Sequence, residues 1–161
     1  MHATIEDGYY AIDSTSIVDA KYGQYIKSGK GSITFDTVLY PMPEGKKEKV
    51  GVRHLSMDVP QTQATALEIT IVDEEQQNFA TKAYYYLVQE GQFKAERAFG
   101  DYCTDGTMAY VQYSTTGRLK ELYLREGSSI KKNGQILLDG VSSKDIGITW
   151  QSRIMHINSN D

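Results

Sequence analysis

Thr107-Met108-Ala109-Tyr110-Val111-Gln112-Tyr113-Ser114-Thr115-Thr116-Gly117-Arg118-Leu119-Lys120-Glu121-Leu122-Tyr123-Leu124-Arg125 is the stretch whose reading decides the fold. Two β-rich runs, 107–114 and 119–125, flank Thr115-Thr116-Gly117-Arg118, which has the length of a short hairpin loop and its glycine. Side chains alternate across a strand, so Met108 and Tyr110 face one way while Ala109, Val111 and Tyr113 face the other. Such a strand has something to bury on each side.

Further strand signals lie on both sides of this hairpin. Downstream, 130–138 contains Asn133-Gly134, and 146–157 reads as one closing strand in which Ile148, Trp150 and Ile154 alternate with Thr149, Gln151 and Arg153. Upstream, Tyr9-Tyr10-Ala11-Ile12 and the alternating run 32–40 predict strands, and Pro41-Met42-Pro43-Glu44-Gly45-Lys46-Lys47 predicts a turn-rich excursion. The parity change from Val50 and Val52 to Leu55 and Met57 predicts a bulge near His54, and Leu67, Ile69 and Ile71 predict a strand with one buried face.

Between them the period shifts to about 3.6. Asp73 with Gln76 has the spacing of a capping box. Phe79, Ala80, Ala83, Tyr84, Leu87 and Val88 fall on one helical stripe, and Gly91 follows as a stop. An amphipathic helix over 74–90 is the expectation. The predicted fold is mostly β: an antiparallel barrel or sandwich of about seven strands with one packed helix, as a single domain over 1–161.

Composition excludes several classes. At 161 residues, 40% hydrophobic and 24% charged, the chain is too apolar to be disordered and long enough for one core. No apolar run reaches a membrane span, and the first residues lack the pattern of a secretory signal, so a soluble, non-secreted chain is expected. Seventeen Lys and Arg against 21 Asp and Glu give a net charge of −4, which repels phosphate and argues against a nucleic-acid binder. Lys46, Lys47 and Lys49 are interrupted by Glu44 and Glu48 and read as a solvated loop. The single cysteine, Cys103, makes no internal disulfide.

Chemistry-bearing motifs are few. His2, His54 and His156 are isolated and predict no zinc set, with His54 and His156 read as structural. Asp101-Tyr102-Cys103-Thr104-Asp105-Gly106 opens like a calcium loop but has Cys103 where the third position needs an oxygen ligand and Gln112 where the twelfth needs Glu, and so reads as a polar turn. The segment 23–31 has one residue too many for a phosphate loop and reads as a glycine turn. No nucleophile elbow or acid pair stands out, so no enzyme activity and no cofactor are expected.

The order of elements is the more informative feature. Leu67-Glu68-Ile69-Thr70-Ile71-Val72 leads into Asp73-Glu74-Glu75-Gln76, then come the glycine-turned hairpin 113–124, the segment Leu137-Leu138-Asp139-Gly140, and the closing run 148–154. This order resembles the tail-tube proteins of contractile bacteriophages and the related inner-tube proteins of type VI secretion systems, over residues 64–157. The resemblance implies a small β-barrel or sandwich with one helix, closing as a homohexamer whose rings stack into a tube. It also implies sheath or baseplate partners, DNA or effectors passing through without tight binding, and a place in the virion tail, or in the bacterial cytoplasm before assembly. The first sixty residues match that pattern poorly, leaving 41–49 as the inter-subunit loop.

The assembly residues expected on this reading are Met42, Glu44, Lys46 and Lys47 in the excursion, Tyr84 on the helix, and Tyr110, Tyr113 and Tyr123 in the tube wall. Two alternatives from other classes share the same length and strand pattern. One is a monomeric β-barrel carrier or recognition module for a small or glycan ligand, and the other is an enzyme on a β scaffold.

Overall fold

The computed structural model describes residues 2–11, 16–31, 35–42, 44–45, 47–73, 79–88, 95–140, 145–151 and 154–160. Contacts divide the chain into two compact units, Met1–Phe35 and Asp36–Asp161. The first is an antiparallel hairpin of β1 (His2–Ala11) and β2 (Ile17–Ile26), in register from His2 opposite Ile26 to Ala11 opposite Ile17. It makes a two-stranded sheet of its own.

The second unit carries β3 (Glu48–His54), β4 (Ala64–Asp73), β5 (Phe79–Val88), β6 (Arg97–Phe99), β7 (Tyr102–Thr104), β8 (Met108–Ser114) and β9 (Leu119–Arg125). These are followed by β10 (Ile130–Lys132), β11 (Gln135–Leu138), β12 (Asp145–Gln151) and β13 (Ile154–Asn160). They form a seven-stranded antiparallel sheet, ordered β13-β12-β9-β8-β5-β4-β3, and a four-stranded one, ordered β11-β10-β7-β6. The fold is mostly β with antiparallel sheets, and there is no helix among the described residues.

The core follows from register. Directly opposed residues of an antiparallel pair share a face. Ala66, Tyr86, Ala109, Leu124 and Ile146 form one such row across five strands, and all five are buried. The four-stranded sheet meets this face through Phe99, whose ring stacks on Tyr86 at 4.9 Å and on Tyr102 at 5.4 Å, with Ile130 fully buried beside them. Aromatic pairs at such spacings add to the stabilisation from area burial alone.

The two sheets are joined at a corner. β8 pairs with β9 in the large sheet, while β7 and β10, which precede and follow that pair, are partners in the small one. Both connections therefore turn from one sheet to the other side by side. There Gly106 and Gly127 pack backbone on backbone, and the Asp105 carboxylate accepts hydrogen bonds from the Ser128 and Ser129 amides, each at 2.8 Å, and from the Ser128 hydroxyl at 2.5 Å. The buried Thr104 hydroxyl donates to the Ser129 carbonyl at 2.8 Å and accepts from the Gly106 amide. Corners where strands change sheet need such irregular, fully satisfied backbone.

Several sequence expectations hold. The hairpin turn at Gly117 has φ +74°, with the Ser114 amide donating to the Arg118 carbonyl. Asn133 and Gly134 both have positive φ, as a tight two-residue β-turn requires.

Others need correction. The packed helix over 74–90 is not present where the chain is described: 79–88 is β5, a strand between β4 and β8, and 74–78 and 89–90 lie outside the described residues. The run is apolar on both faces of a strand, with Tyr84 and Tyr86 toward the core and Ala83, Tyr85 and Leu87 the other way, and such a run satisfies a helical stripe equally well. Three consecutive tyrosines and two full ladders of backbone hydrogen bonds favour the strand. Asp73, read as a helix cap, is the last residue of β4.

The run 32–40 carries no strand over 35–40, and 32–34 lie outside the described residues. The glycine turn at 23–31 gives way to strand at Gly23–Ile26, because β2 needs those residues to pair with β1. β3 keeps its register to His54 and ends there without a bulge; Leu55 then turns into the core and Met57 bridges to Phe99. The single closing strand is instead the antiparallel pair β12 and β13.

Candidate functional site

The four tyrosines expected in assembly divide onto opposite faces of the seven-stranded sheet. Tyr110 stands directly between Tyr85 and Tyr123, and this row runs on to Leu67 at one end and Gly147 at the other. It lies on the face turned away from the Tyr86 row. Tyr123 lies over Gly147, where an added Cβ would come within 3.7 Å of the ring. All three tyrosines are half-buried, and burial is the first cause pushing their hydroxyl pKa values up.

Tyr84 and Tyr113 lie on the core face. Their rings meet edge to face at 6.1 Å, and Tyr84 also packs on the buried Tyr102 at 4.8 Å. The Lys132 ammonium sits over this group, 4.3 Å from the Tyr113 ring centre, 5.3 Å from Tyr102 and 5.7 Å from Tyr84. Burial, with Tyr113 close by, drives the Tyr102 hydroxyl far above its ordinary value. Sequence reasoning missed Lys132. It stands beside Lys131 in an unremarkable β10, and its partners come from β5, β7 and β8; the only signal was that Ile130 and Lys132 share one parity.

In the predicted loop, Met42 and Glu44 are exposed, Lys47 is exposed, and Lys46 lies outside the described residues. Just beyond it the Tyr40 hydroxyl donates to Glu48 at 2.5 Å.

The open features of the molecule are its strand edges and the hairpin. Among the described residues, β13 and β3 have a strand partner on one side only. Ile154, Met155 and Ile157 are exposed on β13 and Val52 is exposed on β3. On the hairpin, Ala3, Ile5, Asp7 and Tyr9 share a face with Tyr25, Gly23, Lys21 and Asp19. Asp7 and Lys21 form an ion pair in its middle. Ile5 and Tyr9 are each 80% exposed and Tyr25 is 62% exposed, so this face presents apolar side chains around the Asp7–Lys21 pair, with Asp19 as a further charge opposite Tyr9.

Two polar residues that drew notice in the sequence, His54 and Cys103, have side-chain neighbours. His54 Nε2 lies 2.9 Å from Asp36. Burial and the neighbouring Glu96 push the Cys103 thiol up to about 11, so it is protonated at neutral pH. Among the described residues no three His, Cys, Asp or Glu side chains are grouped to hold a metal ion, and no helix is long and apolar enough to cross a membrane. No family model matches the chain, and no curated protein matches it either.

Proposed function

We propose that this chain is a self-assembling structural protein whose copies join through the β1–β2 hairpin and the open edges of the large sheet. The observation that carries this is the hairpin. Its ten-residue strands form a sheet of their own, with Ile5, Tyr9 and Tyr25 exposed together on one face. A two-stranded ribbon is marginal by itself, and docking that face onto a second copy would add burial to it.

The sheet edges support the same reading. β3 and β13 lie at opposite ends of one open sheet. Pairing β13 of one copy with β3 of the next is a heterologous contact that continues the sheet, and repetition closes a ring where the rotation permits. The subunit is then a two-layer sandwich, and the resemblance to tail-tube and type VI inner-tube proteins makes a hexameric ring stacked into a tube the expected form. A net charge of −4 suits a conduit that DNA or effectors pass without being held.

The experiment is sedimentation velocity on the unaltered chain and on the double variant Ile5→Lys, Tyr9→Lys. The unaltered chain should sediment as rings or larger, and the variant as single chains with an unchanged circular dichroism spectrum. Equal sedimentation of the two as large species would remove the hairpin from the assembly.

A further inference from the structure

We propose that the cleft bounded by β5, β8 and β10 binds a small acidic sugar, with the Lys132 ammonium taking the carboxylate. Lys131 and Lys132 are neighbours held in different ways. The Lys131 ammonium donates to both Glu96 oxygens, at 2.9 and 3.2 Å. Lys132 is held by the rings of Tyr113, Tyr102 and Tyr84, which attract its charge but accept no ordinary hydrogen bond. Its three N–H donors are therefore fixed in position without a carboxylate to receive them.

The cleft around it has a volume of about 300 Å³. That is the lower end of small-molecule sites and suits one sugar ring with its substituents. Its lining includes Lys82 and Lys132; Glu68 lies close enough to accept from the Tyr84 hydroxyl and to feel the Lys82 charge, so Lys132 is the cation that meets the ligand's carboxylate. The clefts at Arg53 and at the hairpin are lined by Glu68 and Asp101, and by Asp7 and Asp19.

The remaining walls match the rest of such a ligand. Tyr84 and Tyr113 supply the aromatic part of the lining, against which the C–H groups of a sugar ring would pack. Ser114, Thr115 and Gly117 of the hairpin complete the lining, a polar side for ring hydroxyls. An aromatic wall with a few convergent polar groups is the usual make-up of a site that recognises a small polar ligand. The inference does not depend on assembly, since all the residues involved belong to one chain.

Isothermal titration with glucuronate, glucose and inorganic sulfate as probes tests it. Glucuronate should bind, glucose should not, and added sodium chloride should weaken the binding through screening. Lys132→Met keeps an apolar stem against the rings and should weaken glucuronate by about tenfold or more, the scale of a lost charge-assisted hydrogen bond. Should Lys132→Met fail to fold, Lys132→Gln, which removes the charge and keeps a polar end, should weaken glucuronate several-fold. No glucuronate binding, or unchanged affinity in a folded variant, would overturn the proposal. Sulfate binding as tightly as glucuronate would also overturn it, leaving a general anion site.

Discussion

Gly127→Ala should lower the unfolding free energy by about 3 kcal/mol, the upper part of the range for forced overpacking. A Cβ on Gly127 would lie 2.4 Å from the Gly106 Cα and 2.6 Å from its amide nitrogen. Both are backbone atoms, so no rotamer change relieves the contact, and the two connections at the sheet corner must separate. Gly106→Ala meets the same corner from the other side, with its Cβ 2.5 Å from Leu124 Cδ1 and 2.9 Å from the Arg125 carbonyl oxygen. Gly117→Ala is the control: nothing lies within 4 Å, and its left-handed backbone alone costs about 1 kcal/mol. Urea unfolding of the three variants separates the effects by midpoint. A Gly127→Ala midpoint equal to that of the unaltered chain would mean that the corner is not packed in this way.

Asp105→Ala should cost about 2–3 kcal/mol by removing the acceptor from the Ser128 and Ser129 amides, because orphaned donors in a part-buried site lose most of their hydrogen-bond free energy. It should also change how stability responds to acid. Burial works against the Asp105 charge, but hydrogen bonds from Ser128 and Ser129 outweigh it and hold the carboxyl below its ordinary value. With the folded value the lower one, the contribution is complete above the unfolded carboxyl's pKa of about 4 and is lost as pH falls through the folded value. Thermal unfolding between neutral pH and pH 2 checks the sign. The gap in Tm between the unaltered chain and Asp105→Ala should be constant at neutral pH and narrow in acid; a gap that widens in acid would contradict the assignment.

What the sequence revealed, and what it hid, follows from the range of the interactions involved. The hairpin at Gly117 and the turn at Asn133-Gly134 were legible because each is written within a few residues, in alternation and in positive φ. The strand β5 was misread because its neighbours decide its state. A run apolar on both faces fits either period, and only the ladders to β4 and β8, which lie outside the run itself, select the strand. The division of Tyr84 and Tyr113 from Tyr110 and Tyr123 was half legible, since parity separates Tyr110 from Tyr113 within β8. That Tyr84 and Tyr113 meet Lys132 required the four-stranded sheet to be laid on the larger one, and no local pattern encodes that. The Asp105 clasp was hidden for a similar reason: a polar turn was legible in Asp105-Gly106, and its partners at Ser128 and Ser129 were not.

The hairpin has a related lesson. Tyr9 to Ala11 was legible as strand, but the pairing of β1 with β2 depends on Ile17–Ile26, where Gly23 weakens the strand pattern. At that position the Tyr25 ring lies 3.7 Å from where a Cβ would stand, so the neighbouring aromatic covers the glycine. A two-stranded ribbon buries little of its own apolar surface, and the proposed assembly would bury this face against a second copy.

Negative-stain electron microscopy of the purified chain at high concentration tests assembly most directly. Rings or stacked tubes are the predicted result. A uniform field of particles the size of one chain would contradict the account.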